Sequence, residues 1–226
     1  FLKTLKGGWD EKYSSIFHGG DIWQLFDQDH FAQSSPDPQA FKPHSTNPTH
    51  LQVRLASNFK LAPFPNQVAN AALTELCRTA NAAPCLHHGV AKPRVNLVAG
   101  RSKYVPLAKW PMLIAGNYRC ITDSAPISIK EAIFDDLAKT RSIYGQVVNL
   151  CRTLGAEEAD LVPFESYLKA AENLDKPSSV SRAAEQPGAK LERMDLLVSK
   201  LCEDHGIPPA ELGGIVERLE RKLVQS

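Results

Sequence analysis

The stretch from Leu174 to Gln225 limits the fold more than any other part of the chain. Leu191, Met194, Leu197, Val198 and Leu201 recur at steps of three and four, which places them on one stripe of an α-helix. Gly206 is free to take the left-handed stop conformation, and Pro208-Pro209 cannot continue the helix. Proline suits a helical first turn, so the pair is expected to open a second helix. Leu212, Ile215, Val216, Leu219 and Leu223 form its stripe, opposite Glu217, Arg218, Glu220, Arg221 and Lys222. Two short amphipathic helices do not bury such stripes alone, so they are expected to close over an earlier element.

That element is expected to follow Ser128. Ser128-Ile129-Lys130-Glu131 reads as a capping box, in which serine accepts from the backbone and glutamate reaches back. Ile129, Ile133, Leu137, Tyr144, Val148 and Cys151 carry one stripe onward to Leu154, and Gly155 stops it. The expectation is a single helix of about 26 residues, roughly 39 Å long, acting as the central strut. Residues 156–173 add a helical stretch interrupted or started at Pro163, and Asn66 caps a helix to about Ala80 with Val68, Ala72, Leu76 and Ala80 on its stripe.

The first 65 residues differ in character, being rich in Gly, Pro, His and aromatics. Ile22, Trp23, Leu25 and Phe26 suggest a short helical turn, and the proline-rich run over 34–49 reads as a loop. Leu51, Val53 and Leu55 alternate with polar residues, predicting a strand over 49–60 that Phe59 and Leu61 extend or pair with. Arg94–Val98 reads as another short strand. The fold class expected is mainly α: a multi-helix domain over 66–226 behind a small α/β portion over 1–65.

With 226 residues the chain can bury a sizeable core. A net charge of +1 gives no electrostatic reason to expect nucleic acid or an anionic membrane, and no apolar run approaches the roughly 18 residues of a membrane span. Five scattered cysteines, an odd number, favour a reduced intracellular setting, cytoplasmic or mitochondrial. Phe1 in place of Met reads as a processed chain or the remainder of a longer one.

Three features together carry a family resemblance: Pro177-Ser178-Ser179, Gly188 followed four residues later by Glu192, and Gly206-Ile207-Pro208 at a helix end. The last hundred residues or so resemble the C-terminal domain of the ketopantoate reductase family, of the 6-phosphogluconate dehydrogenase C-terminal-like type. The resemblance implies an NADPH-dependent 2-keto acid reductase whose helical domain covers a separate dinucleotide-binding domain and contributes to a homodimer. The first 65 residues would then be the remnant edge of that second domain. In such a site hydride reaches the C2 carbonyl, and a lysine donates the proton. By resemblance Lys109 and Glu192 are the catalytic candidates, and Asn117, Ser178 and Ser179 the substrate-binding ones. Met112 stands where the family's helix, beginning near Trp110, carries its lysine; Lys109 is the nearest lysine.

Ordinary roles compete with each assignment. Lys109 also reads as a solvated lysine, Asn117 as a turn residue beside Gly116, Ser178 and Ser179 as helix caps, and Glu192 as a helix-face carboxylate. The sequence has neither a G-x-G-x-x-G nor a G-x-x-x-x-G-K-[ST] turn, so either an upstream domain or a partner subunit is expected to supply the NADPH site, or the activity is lost. Cys77, Cys85, His87 and His88 match no zinc spacing, and no metal is expected. The histidines lack a Ser or Cys partner for a hydrolase triad. Arg94, Arg101, Lys103, Tyr104 and Lys109 form a basic patch that reads most simply as a solvated loop. A reading of another class is a reductase-derived helical module kept for interaction, without catalysis.

Overall fold

The computed structural model describes residues 13, 16–17, 25, 27–30, 32–35, 50, 59–83, 86–87, 90–91, 96–189, 191, 193–209 and 211–225. Two units emerge from its contacts: Phe1–Gly8 with Asp21–Pro106, and Trp9–Gly20 with Leu107–Ser226. Most described residues are helical. The strand alternation at Leu51, Val53 and Leu55 lies outside the described residues, as does the turn at 22–26 apart from Leu25.

In the first unit a three-stranded sheet has the order β1 (Ser34–Ser35), β2 (Phe59–Leu61), β5 (Leu97–Ala99). β1 pairs antiparallel and β5 parallel to β2, with Leu61 opposite Ala99. A parallel pair needs a crossover, and α1 (Gln67–Ala82) lies within it, followed by a two-stranded hairpin of β3 (Leu86–His87) and β4 (Val90–Ala91). Asn66 caps α1 as expected, accepting from the N–H groups of Val68 (2.8 Å) and Ala69 (3.2 Å).

The face that α1 buries differs from the expected one. Leu73 and Cys77 point inward, whereas Val68 is 80% and Leu76 56% exposed. Two asparagines account for the rotation. Asn70 clasps both backbone groups of Phe64 (2.7 and 2.6 Å), and Asn81 clasps both of Leu97 (2.9 and 2.8 Å). Asn70, Leu73, Cys77 and Asn81 share one helical stripe, so satisfying backbone groups decides which side turns inward.

The second unit is built of helices. α2 (Trp110–Met112) runs on into a π-helical turn over Leu113–Asn117 and a 3-10 turn over Tyr118–Cys120. After them come α3 (Ile129–Phe134), α4 (Leu137–Thr153), α5 (Phe164–Ala171), α6 (Ser179–Ala184), α7 (Met194–Asp204) and α8 (Leu212–Gln225). The capping box at Ser128 forms with both bonds, Glu131 N to Ser128 Oγ at 3.1 Å and Ser128 N to Glu131 Oε2 at 2.7 Å. The next two N–H groups of α3 would also be unpaired; Ile129 N and Lys130 N donate instead to Lys176 O and Leu174 O.

The expected 26-residue strut is two helices. Asp136 leaves the helical region (φ −141°, ψ 83°), and its carboxylate accepts from Lys139 N at 2.9 Å, starting α4 afresh. Fully buried Thr140 makes the break tolerable: its hydroxyl is shared between Ile133 O (2.8 Å) and Asp136 O (2.9 Å), and it accepts from Arg119 Nη1. α4 is thus about 25 Å long. The break also turns the stripe, leaving Leu137 40% exposed and Val148 half-buried, while Ile143, Val147 and Leu150 occupy the core.

Both glycine stops form as Schellman motifs. At Gly155 (φ 106°), Ala156 N reaches Cys151 O and Gly155 N reaches Arg152 O; at Gly206 (φ 66°), Ile207 N reaches Cys202 O and Gly206 N reaches Glu203 O. α8 starts at Leu212, later than the prolines, because Pro209 lends only its carbonyl, accepting from Leu212 N and Gly213 N. α7 and α8 bury Leu197, Val198, Leu201, Leu212, Ile215 and Leu219, as their spacing predicts. Gln146 of α4 donates to Pro208 O at the turn between them.

Candidate functional site at a π-helical turn

A π-turn closes an i→i+5 ring, here Tyr118 N to Leu113 O, and so inserts one residue beyond the α-helical count. Such turns recur at functional positions, because the wider ring leaves carbonyls that need partners. Here the partners are side chains. Tyr167 of α5 donates to Met112 O (3.3 Å), Arg119 to Ala115 O (3.2 Å), Cys120 Sγ to Gly116 O (3.5 Å) and Ser178 Oγ to Asn117 O (2.7 Å). Tyr118 Oη accepts from Met194 N at 3.0 Å, satisfying a free donor at the start of α7. Three later helices therefore meet at this one turn.

Two of the expected site residues come together here. Asn117 is 3% exposed, and among the described residues its carboxamide has no hydrogen-bond partner. Ser178 is fully buried against it; besides donating to Asn117 O, its hydroxyl accepts from Ser181 N (3.2 Å) and caps α6. Ser178 is thus a structural support of the turn. Ser179 follows as the first residue of α6, half-buried. Lys109 immediately precedes α2 and is half-buried; eight residues before Asn117, it stands about 12 Å away along the axis at ordinary helical rise. Glu192 lies outside the described residues.

The surroundings set the chemistry. Burial pushes the Cys120 thiol up to about 11, and burial likewise raises the Tyr167 phenol, so both are neutral donors at physiological pH. Burial lowers the Arg119 guanidinium against the pull of Asp136, yet arginine keeps its charge. The turn therefore holds no activated nucleophile. Its available group is the Asn117 carboxamide, with two donors and one acceptor for a polar ligand.

Among the described residues no group of three or more His, Cys, Asp or Glu is arranged to hold a metal. Nor do those residues fit a dinucleotide. The connection from β2 to α1 reads Ala62-Pro63-Phe64-Pro65-Asn66, without glycine, and Asn66 and Asn70 already occupy the N–H groups of Val68, Ala69 and Phe64. No helix among them is long and apolar enough to cross a membrane. Sequence reasoning missed Gly116, Cys120, Thr140 and Tyr167. The pairing of Gly116 with Asn117 inside an apolar run was the only local hint; Tyr167 left none. Compared with protein-family models, curated proteins and solved structures, the chain finds no match.

Proposed function

We propose that residues 107–226 form the substrate-binding helical domain of an NADPH-dependent 2-keto acid reductase resembling ketopantoate reductase. The carrying observation is the Asn117 carboxamide, which makes no hydrogen bond among the described residues, on a residue only 3% exposed whose backbone carbonyl Ser178 holds; the family resemblance also singles out both residues. In this reading the carboxamide holds the keto acid's carboxylate or hydroxyl. Lys109 is the proton donor, Ser179 lends a second polar contact, and Glu192 orients the lysine. In this reading NADPH is bound by another domain or subunit.

Calorimetric titration of the folded chain with ketopantoate tests this. Binding at a Kd of about 1 mM or tighter is expected, and Asn117→Ala should weaken it about tenfold, the cost of leaving one ligand group unpaired. A folded wild-type protein silent up to 10 mM ketopantoate, counted as roughly ten times the weakest expected Kd, refutes the proposal. The second reading, a non-catalytic interaction module, draws on the commitment of the Ser178 hydroxyl to Asn117 O and Ser181 N, which leaves it no proton to donate to a keto acid's carboxylate. That reading predicts the silent titration.

A further inference from the structure

We infer that Tyr167 is a positioning residue for the keto-acid site, an inference that rests on the function proposed above. Its hydroxyl occupies the place a side chain at position 116 would take: a Cβ built on Gly116 lies 2.1 Å from Tyr167 Oη. The same oxygen donates to Met112 O at 3.3 Å, the carbonyl that opens the π-turn. The ring cannot readily turn away. It stacks on Tyr144 (5.3 Å between centroids, 19° between planes) and meets Phe164 edge-on at 6.3 Å.

The register of the turn decides where Asn117 points. One residue of α-helix is about 100° of rotation. Relaxation of the π-turn to α-helical register would carry the Asn117 side chain around the axis by about that angle and disturb the bond from Ser178 Oγ to Asn117 O. Tyr167 holds the wider register at Met112 O, Ser178 ties it at Asn117 O, and Gly116 leaves the space that the Tyr167 hydroxyl needs. Tyr167 thus acts on a ligand through Asn117, without touching it.

The test compares ketopantoate binding by wild-type protein, Tyr167→Phe and Tyr144→Phe, each verified as folded by circular dichroism at 25 °C. Tyr144→Phe removes the hydroxyl of the other tyrosine in the same aromatic stack, a residue likewise 3% exposed, but one that donates to Val162 O at 2.5 Å, away from the turn. Tyr167→Phe is expected to bind about tenfold more weakly, equivalent to about 1.4 kcal/mol, with Tyr144→Phe matching wild type. Binding by Tyr167→Phe within about twofold of wild type, below 0.5 kcal/mol, overturns the inference and leaves the proposed function standing. Equal weakening in Tyr144→Phe also overturns it, since loss of packing then explains both. Failure of wild type to bind removes the function and this inference together.

Discussion

A methyl group placed on Gly116 probes the π-turn directly. The new Cβ would sit 2.1 Å from Tyr167 Oη and 3.1 and 3.3 Å from Ile133 Cδ1 and Cγ1. The contact with Ile133 needs shifts of a few tenths of an ångström, but the contact with Tyr167 cannot survive. Relief requires moving a buried ring stacked between neighbours and giving up its bond to Met112 O. Overpacking of this kind costs about 1–3 kcal/mol, and the lost hydrogen bond about 1 kcal/mol. Alanine's better helix propensity returns about 1 kcal/mol. Gly116→Ala should therefore destabilise the protein by about 1–3 kcal/mol. In a Tyr167→Phe background the obstructing oxygen is gone, and the same substitution should cost at least about 1 kcal/mol less. Urea denaturation of the four proteins measures the coupling through their midpoints at constant m. A neutral or stabilising Gly116→Ala, or equal costs in both backgrounds, refutes the steric argument.

Two further outcomes follow from groups that the fold keeps from water. Thr140→Val leaves Ile133 O and Arg119 without the hydroxyl that joins them; the urea midpoint should fall by the equivalent of about 1–3 kcal/mol, with Thr140→Ser recovering most of it, and a loss under about 0.5 kcal/mol counts against the helix-break account. Burial raises the Cys120 thiol from 9.0 to about 11 and the Cys151 thiol to about 12, so the unfolded chain loses these protons first as pH rises. The stability they contribute is complete below about pH 9 and is lost as pH climbs through 11 to 12. The urea midpoint should decline from pH 9 upward, less steeply in Cys120→Ala; a flat profile from pH 9 to 10.5 sinks the assignment.

Local chemistry was readable wherever the responsible groups lie within one turn of each other. The Ser128 box, the Asn66 cap and the stops at Gly155 and Gly206 all formed as their residues predict. Face assignments fared worse when counted from apolar residues alone. On α1 the asparagines at 70 and 81 chose the inner side, and hydropathy gives a polar residue no credit for a backbone group it pairs. Through Phe134 to Leu137 the apolar period continues uninterrupted in the sequence, although the helix does not. The break depends on Thr140 and Arg119 meeting in space.

The candidate site divides in the same way. Asn117, Ser178 and Ser179 could be proposed as candidates from motif positions, and a capping role for Ser178 was legible too; the bond that its hydroxyl donates to a carbonyl 61 residues earlier was not.

By itself, then, the sequence determined a mainly helical chain, most helix ends and the closing helix pair, because capping bonds and amphipathic stripes are short-range properties. The tertiary structure alone decided the split strut, the inward face of α1 and the π-turn at Leu113–Asn117. Each of these is settled by a polar side chain finding its partner outside its own helix, and only the packed chain brings the two within hydrogen-bonding distance.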